Sequence, residues 1–106
     1  MTIAELMRLA HANATAHGFH EHVPAFGQTG RDVRHILSWL MLAVTELAEA
    51  AEAARVGDLE NFGEECADVL IRVADTCAAL EVDLQQAVAR KLAKNADRPR
   101  MHGKLA

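Results

Sequence analysis

The sequence predicts an all-α fold, an antiparallel helical bundle completed by homo-oligomerisation. Three observations lead there. Only two prolines and six glycines interrupt 106 residues, and such long unbroken stretches favour helices over the frequent turns of a sandwich or barrel. Apolar residues recur at helical spacing, as with Ile3, Leu6, Met7 and Ala10. Finally, 51% of the residues are apolar but many are alanine, and aromatics make up only 4%. For a chain this short with so few large side chains, burying enough surface alone is hard, so a homodimer or a dimer of dimers is expected. One domain, residues 1–106, fills the length.

Each element has its own local signal. Residues 2–17 read as a first helix. Residues 18–30 hold three glycines and Pro24 and read as a loop, unusually aromatic for this chain, with Phe19, His20, His22 and Phe26. Asp32 is placed to cap a second helix reaching about Val56, with Gly57 in the usual C-terminal position. A short connection at residues 58–63 leads to a third helix from about Phe62 to Leu80. Asp83 starts a fourth, ending near Ala96, and residues 97–106, with Pro99 and Gly103, form an irregular basic tail.

Composition excludes several classes of function. No run of about 18 apolar residues is present, so no membrane span is expected, and no basic-then-apolar leader opens the chain. Cys66 and Cys77 lie eleven residues apart on one predicted helix. That is roughly 16 Å, beyond disulfide reach, so both are read as reduced core thiols in a cytoplasmic protein. From Glu46 to Asp75 nine acidic residues face two basic ones, whereas from Arg90 onward six basic residues accompany one acid. An acidic centre followed by a basic tail is unlike a nucleic-acid polymer binder, which is basic across its binding face. It suits a polyanion held to carboxylates by metal ions, with cations closing from the other side.

The carboxylates themselves carry the sharpest signal. On the second helix Glu46 falls in an apolar sector among Trp39, Leu42, Ala43, Ala50 and Ala53, where an unpartnered carboxylate is costly. Glu49 lies at the sector edge, and Glu52 with Arg55 points further away. On the third helix Glu64, Glu65, Asp68, Arg72 and Asp75 form one polar stripe. Alone, that stripe reads most simply as a solvated face. Its four acids to one arginine, however, repel along the helix, and a divalent cation would turn that repulsion into attraction. Two helices therefore each offer a pair three residues apart, Glu46 with Glu49 and Glu65 with Asp68. Packed antiparallel, they aim oxygen donors into one gap, and all-oxygen ligation selects Mg²⁺, with Mn²⁺ as a substitute.

In this order the motifs resemble the MazG-like all-α nucleoside triphosphate pyrophosphohydrolases. Glu46-Leu47-Ala48-Glu49 is followed by a fifteen-residue spacer and Glu65-Cys66-Ala67-Asp68. The likeness continues from Asp68 to Asp75, through Val82-Asp83-Leu84, and into the Lys91, Asn95, Arg98, His102 and Lys104 segment, covering about residues 37–104. The resemblance implies Mg²⁺-dependent hydrolysis of a nucleoside or deoxynucleoside triphosphate to the monophosphate and pyrophosphate, by water attack on the α-phosphorus. It implies Glu46, Glu49, Glu65 and Asp68 as metal ligands, with Glu49 also the candidate base. Lys91, Asn95, Arg98, His102 and Lys104 would then hold substrate. Arginine suits bidentate phosphate contacts and lysine point-charge ones, although Lys91 and Lys94 near a helix C-terminus also complement its dipole. Trp39, two turns before Glu46, is read as core or as a stacking platform for a base. Arg72 and Asp75 are read as an ion pair steering the ligands or as a weak surface pair.

Other readings compete. A ferritin-like di-metal bundle requires Glu-x-x-His, which this chain lacks. A non-catalytic helical interaction module accounts for the third helix but not for Glu46. The same fold acting on another pyrophosphate-containing nucleotide, such as phosphoribosyl-ATP, remains an alternative.

Overall fold

A computed structural model describes residues 1–21 and 33–99. Over these residues the chain is four helices without a strand: α1 (Ile3–Ala16), α2 (Val33–Arg55), α3 (Leu59–Ala79) and α4 (Leu84–Ala96). The expected all-α class and element order are therefore present. The expected cap Asp32 lies outside the described residues, as do residues 22–30 of the loop and residues 100–106 of the tail.

Local chemistry sets the boundaries. Thr2 accepts from the Glu5 amide while the Glu5 side chain reaches back to the Thr2 amide, a reciprocal box that starts α1. Asp58 accepts from the Asn61 amide at 3.1 Å, so α3 begins at Leu59 rather than near Phe62. The acids read as a connection are instead its capped first turn. Asp83 caps α4 in the same way through Gln86.

Three helices end alike. After α1 the amide of Phe19 bonds the carbonyl of Ala14, after α2 that of Asp58 bonds Ala53, and after α3 that of Val82 bonds Cys77. These are six-to-one bonds that need a left-handed residue between. Gly18 (φ 85°) and Gly57 (φ 78°) supply it without strain. Glu81 (φ 58°) occupies the same position with a side chain. The turn at Gly18 matters most, because it folds Phe19 and His20 back onto α3.

α2 and α3 form a hairpin, and α1 lies along α3. The N-terminal end of α1 also meets α4, where Gln85 accepts from the Ala4 amide at 2.9 Å. The core is narrow. Trp39, Ala43, Ala50 and Ala53 of α2 are buried with Ala10 and Ala74. Alanines at the α2–α3 seam let the two backbones approach closely, which carries the side chains flanking the seam within reach of one another. The opposite side of α2 is apolar and open. Val33, Leu37, Met41, Val44 and Leu47 are each more than half exposed. Cys66 and Cys77 are free thiols, half-buried rather than in the core, and burial pushes the Cys77 thiol above its ordinary pKa. No helix among the described residues is long and apolar enough to cross a membrane.

Candidate metal centre and adjoining pocket

Glu46 is held in the apolar sector that its helical position predicts, with 15% of its side chain exposed. Across the seam Glu65 of α3 reaches the same point, and Glu49, one turn beyond Glu46, joins from the exposed edge. One carboxylate oxygen from each of the three lies within 4.8 Å of the others. Asp68, half-buried one turn further along α3, is outside this close group. The structure thus brings together three of the four predicted ligands.

Three like charges so near one another are unfavourable without a counter-ion. The pKa of Glu65 rises to about 7, first through hydrogen bonding with Glu46, then through burial, then through Glu49. Its Oε2 atom is buried without a hydrogen-bond partner, which is unusual for a buried polar atom. Among the described residues the one cation at the cluster is Arg72, whose Nη2 stands 3.4 Å from Glu46 Oε1, longer than charge-assisted hydrogen bonds normally are. Arg72 Nε is itself buried without a partner. A convergent all-oxygen set with an unsatisfied oxygen and one loosely held cation fits a hard divalent ion.

The expected pairing of Arg72 with Asp75 is not what forms. Arg72 reaches across to α2, while Asp75 turns inward and is only 8% exposed. The polar stripe of α3 is therefore not a uniformly solvated face. Two imidazoles satisfy Asp75: His20 Nε2 lies 2.7 Å from Oδ1 and 2.9 Å from Oδ2, and His11 Nδ1 lies 2.9 Å from Oδ1. The sequence does not single out His11, whose one signal is its register on α1 facing α3, and it presents His20 only as part of an aromatic-rich loop.

Trp39 is buried, edge-on to the His20 ring at 4.8 Å between centroids. It also lines a small, shallow pocket together with Phe19, Leu42, Arg72, Asp75 and Thr76, whose space of about 200 Å³ includes the open solvent at its mouth. Trp39 is thus at once core and pocket wall. Arg72 ties the pocket to the carboxylates, since its guanidinium lies 5.4 Å from the centre of the Phe19 ring while its Nη2 faces Glu46. On α4 Lys91 is exposed and Asn95 is half-buried with its Oδ1 lacking a partner, and Arg98, just past the end of α4, is exposed. His102 and Lys104 lie outside the described residues.

No curated protein and no solved structure matches the chain at a significant level. A family model, the MazG nucleotide pyrophosphohydrolase domain, matches residues 34–102. That span holds the whole α2–α3 hairpin from its first turn, the three converging glutamates, Asp68 and all of α4. With about two-thirds of its length in the match and the acidic cluster at its centre, the chain belongs to the MazG nucleotide pyrophosphohydrolase family.

Proposed function

We propose that the chain hydrolyses a nucleoside or deoxynucleoside triphosphate to the monophosphate and pyrophosphate, in a Mg²⁺-dependent reaction at the α-phosphorus. The observation that carries this reading is the meeting of Glu46, Glu49 and Glu65 within 4.8 Å beside an aromatic pocket. Asp68 would complete the ligand set from one turn along α3. When bound, Mg²⁺ supplies charge neutralisation for the triphosphate and acidifies a water.

The chain's own residues divide the remaining work. Glu46 and Glu65, held in the seam, provide fixed oxygens. Glu49 is exposed, so one of its oxygens is free to accept the proton of the attacking water. Arg72 sits between the cluster and the pocket, where a guanidinium meets the phosphate end of a nucleotide whose base lies against Trp39 and Phe19. Aromatic faces accept any base, so this stacking selects nucleotides as a class rather than one among them. Lys91, Asn95, Arg98, His102 and Lys104 would neutralise and orient the polyphosphate.

The same architecture fits a homo-oligomer. The exposed apolar stripe of α2 is continuous, and a helix apolar over most of its circumference is a buried helix. We place a second copy of the chain on it, in a cytoplasmic dimer or dimer of dimers.

The test is pyrophosphate release from a panel of nucleotides with Mg²⁺, Mn²⁺ or EDTA, including phosphoribosyl-ATP. Metal-dependent release from triphosphates, abolished in Glu49→Gln, is expected. Release from phosphoribosyl-ATP alone would move the substrate assignment. No release from any nucleotide would leave only a helical interaction module.

A further inference from the structure

The buried carboxylate of Asp75 has no part in the proposed metal centre, yet it is fixed with unusual care. A neutral imidazole has one N–H, and His11 and His20 each direct a nitrogen at Asp75, at 2.9 and 2.7 Å. His20 is wedged between the His11 ring and Trp39, at 4.8 Å between centroids on either side. The two histidines come from α1 and from the turn after Gly18, so three separate parts of the chain converge on one side chain. His11, Phe19 and His20 all precede the 34–102 segment matched by the family, so family membership does not supply this arrangement.

What the clamp presents is decided by the pocket. Both imidazoles contact Asp75 Oδ1, whereas among the described residues Oδ2 receives only a shared contact from His20. A carboxylate oxygen accepts more than one hydrogen bond, so Asp75 keeps acceptor capacity in the pocket that it lines. Beside it, Thr76 spends its hydroxyl proton on the Arg72 carbonyl at 2.8 Å and is left as an acceptor. At the pocket Asp75 and Thr76 accept and do not donate, while Arg72, whose Nε is buried without a partner, is the donor of α3. A ligand edge placed against Asp75 and Thr76 must therefore donate.

We propose that Asp75 is a specificity-determining residue that reads the exocyclic amino group of a nucleobase, with His11 and His20 as positioning residues. This rests on the nucleotide reading above. Guanine, adenine and cytosine each carry an N–H₂ group. Uracil and thymine instead offer a ring N–H flanked by carbonyl oxygens, which a carboxylate repels. The pocket thus favours amino-bearing bases over uracil and thymine.

The same three side chains also form a two-imidazole, one-carboxylate set. Their contacts of 2.7–2.9 Å are those of direct hydrogen bonds. Ligand atoms arranged tetrahedrally about zinc at ~2.0–2.1 Å would stand about 3.3 Å apart.

The test compares kcat/KM for pyrophosphate release from CTP and UTP, and from dCTP and dTTP. Affinities for the same nucleotides are measured in parallel with Ca²⁺ in place of Mg²⁺. Wild-type protein is expected to prefer the amino-bearing base by about tenfold to a hundredfold. In Asp75→Asn, whose amide also donates, the ratio should collapse toward one by loss on CTP and gain on UTP. A purely structural role would lower both alike. His20→Gln, which keeps an N–H donor, should retain the preference and guards against an Asp75 variant that fails to fold. Equal wild-type affinities for CTP and UTP would overturn the proposal. So would zinc bound one per chain and lost in both Asp75→Asn and His11→Ala. Preserved discrimination in binding without pyrophosphate release would support Asp75 as the reader and count against the hydrolase reading alone.

Discussion

Replacing Glu46 by Gln separates the two roles that its surroundings offer. The side chain is mostly buried, faces two other carboxylates within 4.8 Å and has one guanidinium at 3.4 Å. At an intermediate dielectric, unit charges ~4 Å apart interact by about 4 kcal/mol. Above about pH 7, where Glu65 is charged as well, two repulsions against one attraction leave the Glu46 charge net unfavourable in the metal-free protein. Solvent around the exposed edge of the cluster screens this to about 1–2 kcal/mol. For a domain of this size that corresponds to a rise in Tm of roughly 5–10 °C for metal-free Glu46→Gln. With Mg²⁺ at a hundred times its Kd, wild-type protein gains about 2.7 kcal/mol, and the variant should gain less than half of that. Pyrophosphate release should fall roughly a hundredfold or more, the loss expected when ~3 kcal/mol of transition-state stabilisation disappears. Paired melts by calorimetry, with EDTA and with Mg²⁺, read out both signs. If Glu46→Gln is less stable than wild type in EDTA, the contact with Arg72 outweighs the carboxylate repulsion. Glu46 is then a structural residue.

Two further expectations concern protonation and assembly. Glu65 has a folded-state pKa of about 7 against an ordinary value of 4.5, so between these values the folded chain holds a proton that the unfolded chain has released. The contribution of Glu65 to metal-free stability therefore falls as pH rises through that window, and the penalty is complete above about pH 7. Mg²⁺ displaces the proton, so stabilisation by Mg²⁺ should grow across the same window. Melts of wild type and Glu65→Gln at pH 5 to 8 isolate the effect, and identical pH slopes would contradict it. For the α2 stripe, Met41 and Val44 are 61% and 53% exposed, and Met41→Glu combined with Val44→Glu should convert an oligomer into monomers in sedimentation equilibrium. A wild-type chain that is monomeric at micromolar concentration would refute the proposed covering of α2.

The sequence carried most of the hairpin because its signals are local. Gly57 and Asp83 act within one turn of the helix ends they mark, and spacing alone places Glu46 among Trp39, Ala43, Ala50 and Ala53, whereas Asp58 reads as part of a connection until its bond to the Asn61 amide shows it to be a cap. The pairing of Glu46 and Glu49 with Glu65 followed from two short motifs on adjacent helices. What could not be read was the partner choice of residues that depends on tertiary approach. Arg72 and Asp75 are three residues apart and looked like a pair, but one faces α2 and the other faces α1. His11 offers no motif, since its meaning comes from Asp75, 64 residues away. Asp68 shows the limit of motif logic in the other direction: it belongs to the pattern, yet one turn of helix separates it from the close group. The pocket, too, depends on the Gly18 turn delivering Phe19 and His20 onto α3, which a loop reading of residues 18–30 leaves undefined.

The central claim is that water attacks the α-phosphorus of a triphosphate at the glutamate cluster. It is tested most directly by phosphorus NMR of the products formed in ¹⁸O-labelled water with Mg²⁺. The account predicts nucleoside monophosphate carrying the label on its phosphate, together with unlabelled pyrophosphate, and neither product from Glu49→Gln. Nucleoside diphosphate with labelled orthophosphate, or label recovered in pyrophosphate, would contradict it.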